Sequence, residues 1–313
     1  MTESPGRAKK IVCSYVKLMM RCSVKGVVVI MTKSNTLYKT GVTLRKFLIY
    51  LILLSFAMIF LVPFFFLLMG SFKTTSELFR VPSQWLPDRF QFDNYVELFT
   101  TIPFFRYLKN TLIIVGFNIT GAIISNSLIG YGFAKMRFPG RDKIFMIVLV
   151  TMILPYQVTL IPLYLMFTKM KWVGTFLPLI VPCFFGNAFF IFLMRQFLVG
   201  IPKEILESAR IDGASEFRIF WQLILPISKP ALASVAIMAF VRNWNDFLGP
   251  LVFLGDDKLY TLSLAASMLK SKLDPNWDML LTLGVVMVLP VLILFFVLQK
   301  YFIQGISMSG IKG

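Results

Sequence analysis

The sequence predicts an all-α membrane protein built on six transmembrane helices. Three observations carry that prediction. The 313 residues are 57% hydrophobic and only 15% charged, with a mean hydropathy of +0.77, whereas a soluble domain carries about 25% charged residues. Six apolar runs recur, five of them uncharged, each long enough to cross a hydrocarbon layer that needs about 20 helical residues. Charged loops separate the runs, and the basic residues are distributed unevenly between alternate loops.

Composition also excludes function classes. The net charge of +17 would fit nucleic acid on a folded basic face, but here the Lys and Arg residues lie between apolar spans. No nucleic-acid partner is expected. With no histidine and three scattered cysteines (Cys13, Cys22, Cys183), no metal site, Cys–His pair or disulfide framework is expected. The Gly-x4-Gly-Lys-Ser/Thr phosphate loop is missing from the sequence, so the chain is expected neither to bind ATP nor to act as an enzyme, and no cofactor is expected.

Residues 1–46 hold ten Lys/Arg and one acid and read as a basic N-terminal segment. Lys17, Arg21 and Lys25 share a helical face beside Val16, Met20 and Val24, the pattern of a membrane-surface helix. The favoured alternative is that residues 1–30 are poorly ordered or lie upstream of a natural start at Met31. A six-span domain follows over 47–302, then a tail over 303–313. Span one is Phe47–Met69. Loop 70–109 has room for small amphipathic or strand elements. Span two is Asn110–Ala134, with Asn118 and Asn126 on one face. A compact basic loop (Lys135, Arg137, Arg141, Lys143) leads to span three, Ile144–Thr168, interrupted by Pro155 and Pro162. Span four is Trp172–Met194. Span five, about Ala231–Leu254, carries Arg242, Asn243, Trp244, Asn245 and Asp246 near its middle. Span six, Met279–Gln299, is expected to break at Pro290. Six spans put both termini on one side. That side, with loops 135–143 and 195–229, carries roughly twice as many Lys/Arg as the other, which places it in the cytoplasm.

Between spans four and five lies a polar island, 201–226. Pro202 suits the first position of a helix, and Glu204 favours its N-terminal dipole. Gly213 is a natural left-handed stop after Asp212. Ser215 can cap a second, apolar arm able to lie on a membrane surface. The first arm presents Lys203, Glu204, Glu207, Arg210 and Asp212. Ala209 and Gly213, four apart, would allow close approach of another backbone. Docking of a partner and an ordinary helical loop both fit the spacing.

The string Glu207-Ser208-Ala209, three residues, Gly213, nine residues, Leu223-x-Leu225-Pro226 resembles the EAA loop of permease subunits of binding-protein-dependent ABC importers. The departures are Ser208 for Ala and Leu223 for Ile. Ile211-Asp-Gly-Ala-Ser215, Trp244-Asn-Asp246 and the closing Gly310-Ile-Lys-Gly313 resemble the maltose-permease-like sugar branch. The resemblance covers about Leu44–Gly313. It implies a type I ABC importer permease fold in the bacterial plasma membrane, importing a mono- or oligosaccharide. ATP would be hydrolysed by a separate ATPase dimer that receives the coupling helix Lys203–Asp212. A second related permease and an extracytoplasmic sugar-binding protein would complete the system.

Within that frame, Arg242, Asn245, Asp246 and Gly249 fall on one face of span five, where Arg242 and Asp246 could pair. Asn243, Trp244 and Asn245 offer amides and a ring for sugar hydroxyls and stacking. A translocation pathway and helix–helix glue are both open for this cluster, while glue is preferred for Asn118, Asn126 and Asn187. The loop before span six, Leu269–Asp278 with Lys272, Asp274, Asn276 and Trp277, is the expected contact of the binding protein. Other solutes, such as a sugar phosphate, and a self-sufficient secondary transporter remain alternatives. The latter would call for an inverted repeat or coupling carboxylates.

Overall fold

Apolar periodicity and helix-favouring composition yield helices throughout. The computed structural model describes residues 46–82, 84–270 and 276–309, with backbone alone over 300–309. The expectations for residues 1–45, Lys272, Asp274 and the Gly310–Gly313 string lie outside the described residues. The chain forms two units, Met1–Phe65 and Phe66–Gly313. Helix α1 runs Lys46–Gly70. Along it Leu48, Ile52, Phe56 and Phe60 are all exposed, as an apolar helix facing lipid would be.

In the second unit, loop 70–103 contains two short helices, α2 (Thr75–Leu78) and α3 (Asp93–Thr101), and no strand occurs among the described residues. Thr74 and Glu77 close α2 with a reciprocal capping box. Asn94 ties the loop down, its Nδ2 donating to Ser71 O and Lys73 O at 2.9 Å each. Helix α4 (Phe104–Lys135) is the central pillar, and it packs on α8 (Ala188–Val199) and α12 (Lys229–Trp244). It starts before the expected span because Phe104 and Tyr107 bury in the cluster at that end. Close contact with α8 requires Gly130. A Cβ there would lie 2.8 Å from Met194 Cβ and 3.2 Å from the Arg195 backbone nitrogen.

Among the described residues, four helices are each long and apolar enough to cross a membrane, and the number reaches six if each of two bent pairs counts as one span. The third expected span is such a pair. Helix α5 (Arg141–Thr151) meets α6 (Tyr156–Lys169) at 97° across Pro155. Pro155 cannot donate to the preceding turn and forces extended backbone on its neighbour. The fourth comprises α7 (Leu177–Ile180), a 3₁₀ turn over Val181–Phe185 and α8.

Three expectations are corrected. Span five is not one helix, because α12 ends at Trp244 and a separate α13 spans Leu248–Phe253. Span six does not break at Pro290. Helix α15 continues from Trp277 to Ser309, and Pro162 likewise sits inside α6. One lost hydrogen bond is tolerated where neighbouring helices and local adjustment satisfy the freed carbonyl.

The bundle has two distinct ends. At one, Asn110 Nδ2 donates to Lys258 O at 2.9 Å and Tyr260 O at 3.0 Å, and Gly174 N donates to Phe253 O. Here Phe240, Trp244, Leu262, Leu269 and Leu283 form a core cluster with Leu98. Helix α14 (Leu262–Lys270) belongs to this end. At the other end Lys135 Nζ donates to Ile201 O at 2.6 Å. A second cluster there joins Tyr131, Met194 and Leu198 to Leu206, Ile219 and Ile224 of the polar island.

Candidate functional site

Three broken spans meet at one level. The breaks fall at Met152–Pro155, at Val181–Asn187 and at Asn245–Phe247. Each leaves backbone groups without helical partners, which is tolerated at membrane depth only against protein or a wet cavity. Helix α4 supplies the partners for the second break. Asn118 Nδ2 donates to Leu179 O at 2.9 Å, Ser125 Oγ donates to Cys183 O at 3.1 Å, and Asn126 Oδ1 accepts from Asn187 N at 2.7 Å. The Asn187 carboxamide oxygen then caps α8.

A cleft of about 350 Å³ opens at this level, lined by Asn118, Asn126, Tyr156, Asn187, Arg242, Asn243 and Asp246 among others. The three asparagines assigned to helix–helix glue thus do that work and also border the cleft. Tyr156, at the start of α6 beyond the Pro155 break, was not singled out from the sequence, because only the 97° bend brings it here.

The cluster on span five divides. Arg242, Asn243 and Asp246 line the cleft. Trp244 does not. It is 1% exposed, its ring stacks on Phe240, and its Nε1 donates to Met287 O at 3.0 Å, which makes it a structural anchor to α15. Asn245 is exposed, and its Nδ2 turns back to Val241 O. The expected continuous face through Arg242, Asn245, Asp246 and Gly249 is interrupted because the helix ends at Trp244. Nor do Arg242 and Asp246 form an ion pair. The ion pairs among the described residues are Arg80–Asp88, Arg141–Asp142 and Arg210–Glu216. Asp246 Oδ1 instead accepts from Gly249 N at 3.1 Å, opening α13.

At the end of the bundle holding the polar island, the chain forms helix, turn, helix. Helix α9 (Lys203–Ile211) starts after Pro202, which stands just outside the first helical residue, and closes on Asp212. Gly213 has φ +76°, the left-handed region glycine enters without penalty. Ser215 Oγ accepts from Arg218 N and caps α10 (Glu216–Ile219). A π-helical turn, Phe220–Ile224, and α11 (Leu225–Ile227) lead into α12, which is bent by 77° from this arm.

Which faces are presented differs from expectation. Ala209 is half-buried, packed against the protein's own core beside the buried Leu206. The second arm buries Ile219, Phe220 and Ile224 and is not laid on a membrane surface as a whole. Its Phe217 and Trp221 remain exposed. Lys203, Glu204, Glu207, Arg210 and Asp212 are exposed as expected. They are joined by Ile211, an apolar side chain 86% exposed at the tip, which the sequence marked only as part of the Ile211–Ser215 string. It also missed the latch. Glu216 Oε1 accepts from Arg210 Nε at 2.7 Å, and its Oε2 accepts from the Tyr131 hydroxyl at 2.7 Å. The Arg210 guanidinium, and then the Tyr131 hydroxyl, hold the Glu216 carboxyl below the usual carboxylate range.

In the stretch before α15, Leu269 is buried in the core and does not face outward. Trp277 opens α15, its ring edge-on to Phe79 at 5.8 Å, and both it and Asn276 are partly exposed.

Residues 126–308 match the family model described as binding-protein-dependent transport system inner membrane component. The chain is 36% identical over 84% of its length, and 94% of the other's, to the arabinooligosaccharides transport system permease protein AraQ of Bacillus subtilis. It is 37% identical over 72% of its length to the alpha-glucoside transport system permease protein AglG of Rhizobium meliloti, covering 62% of that protein. Among solved structures, a chain of a bacterial ABC transporter involved in import of the acidic polysaccharide alginate superposes with a TM-score of 0.72 over 80% of this chain and 94% of that one, at 24% identity.

Proposed function

The chain belongs to the binding-protein-dependent transport system inner membrane components, multi-pass permeases that are not themselves enzymes, and from that premise we propose that it forms half of the path by which an ABC importer moves an oligosaccharide into a bacterial cell. Relatives named for arabino-oligosaccharide and alpha-glucoside transport support the solute class. The single observation that carries the proposal is the mid-bundle cleft where three broken spans meet. Arg242, the Asn243 carboxamide oxygen and the Asp246 carboxylate on its wall offer donors and acceptors of the kind that sugar hydroxyls require. Its volume of about 350 Å³ falls in the range of ligand sites.

Energy enters at the other end of α12. The exposed face of α9, with Glu207, Arg210 and Ile211, docks an ATPase dimer. Movement of that element passes through the latch and the 216–227 arm into α12. This helix is about 24 Å long at 1.5 Å per residue, and its far end holds Arg242 and Asn243. The polar-island end and both termini face the cytoplasm, following the excess of basic residues. A second related permease closes the cleft, and an extracytoplasmic binding protein delivers sugar to the opposite end, where Asn276 and Trp277 are partly exposed.

The test is reconstitution of the chain with its permease partner, ATPase and binding protein in vesicles, with uptake of labelled arabino-oligosaccharides and alpha-glucosides. ATP-dependent uptake that falls at least tenfold in Asn243→Ala, with normal assembly, is expected. Uptake indifferent to both Asn243→Ala and Asp246→Ala would remove the cleft from the path.

A further inference from the structure

A second cavity, of about 720 Å³, lies at the polar-island end, walled by the close of α4, the start of α5, the end of α8 and α9. Its lining includes six cations, Lys135, Arg137, Arg141, Arg195, Lys203 and Arg210, against two carboxylates, Glu207 and Glu216. Some of that charge is already spent. Arg210 is paired with Glu216, Arg141 with Asp142, and Lys135 is held by Ile201 O. Arg137, Arg195 and Lys203 have no ion pair among the described residues. Arg195 is the telling one. Its guanidinium lies 4.1 Å from the centre of the Phe145 ring, which fixes it at the cavity wall with its charge unpaired.

We propose that this cavity seats the phosphate of an anionic phospholipid from the cytoplasmic leaflet. The placement on that leaflet rests on the permease reading above. Phosphate offers the acceptors that arginine forks are shaped for, and basic pockets between spans on this side suit anionic headgroups. A lipid, and not a free anion, fits because the rim is apolar. Met136, Phe138 and Val199 are exposed beside the cavity, and Ile144 and Ile147 continue that surface along α5, giving acyl chains a track.

The experiment is native mass spectrometry of the purified full-length chain, with and without its ATPase subunit, titrated with phosphatidylglycerol or with phosphatidylcholine of the same acyl chains. Wild type should retain phosphatidylglycerol at least tenfold more strongly than phosphatidylcholine. Arg195→Gln and Arg137→Gln should each weaken that retention at least fivefold, and Arg89→Gln, at the opposite end, should leave it unchanged. Arg137 is exposed, so its variant keeps the fold even if Arg195→Gln does not. Equal retention in Arg137→Gln and wild type would overturn the proposal. So would full displacement of the lipid by millimolar inorganic phosphate, or its expulsion by the ATPase subunit, which would make the cavity a seat for a free anion or for a protein carboxylate. Specific retention in a chain that transports no sugar would sink the transport reading and leave this one standing.

Discussion

Replacing Glu216 with alanine should loosen the helix-turn-helix of α9 and α10, and the two bonds it removes are unequal. The Tyr131 hydroxyl sits on a residue 2% exposed, so a charge-assisted bond there contributes about 1.5–3 kcal/mol, and losing it leaves a buried donor. The Arg210–Glu216 side chains are 42% and 39% exposed, and an ion pair so well solvated contributes at most about 1 kcal/mol. At about 1.4 kcal/mol per tenfold, Glu216→Ala should speed local opening of α9 and α10 by about 10- to 100-fold, and Arg210→Ala by no more than about fivefold. Tyr131→Phe should fall between them, since it keeps the ring packed on Phe220. The assay is hydrogen exchange of the 203–219 peptides in the detergent-solubilised chain, with peptides of α4 as internal reference. An Arg210→Ala effect equal to or above that of Glu216→Ala would refute the assignment of the buried bond as the latch.

Three further outcomes follow from the same geometry. Because the Glu216 carboxyl is held below its ordinary value of 4.5, the stability it contributes is complete above that pH and is lost as pH falls through the lowered value. Exchange of α9, corrected for intrinsic rates, should therefore rise in acid in wild type and stay flat in Glu216→Gln. At Gly213 an added Cβ meets nothing within 4 Å, so Gly213→Val should cost only the backbone strain of φ +76°, about 1–3 kcal/mol. Gly213→Asn, which tolerates that region, should be near wild type. Co-purification with the ATPase, at equal membrane abundance, checks both. At Gly249 a Cβ would stand 2.5 Å from Asp246 Oδ2 and 2.9 Å from Leu179 Cδ2. Gly249→Ala should displace the Asp246 carboxylate at a cost of about 1–3 kcal/mol, lowering sugar uptake without lowering the amount of chain in the membrane. Uptake equal to wild type would show that the Asp246 position does not matter.

Local chemistry is what the sequence determined by itself. Hydropathy set the spans, because crossing a membrane depends on a contiguous run of about 20 residues. Gly213 and Ser215 marked the helix stop and the cap, since left-handed backbone and an N-cap oxygen are single-residue properties. The spacing from Glu207 to Pro226 carried the family resemblance.

Tertiary structure decided everything that depends on facing. Pro155 breaks its span while Pro162 and Pro290 do not, because whether a freed carbonyl finds a partner is settled by neighbouring helices. Trp244 and Arg242 are two residues apart, yet one anchors α15 and the other lines the cleft. Tyr131 and Glu216 are separated by 85 positions, so no periodicity links them. Ala209 turned inward and Ile211 outward because α9 packs its Leu206 side on the bundle, and only the completed core fixes which stripe of a short helix that is.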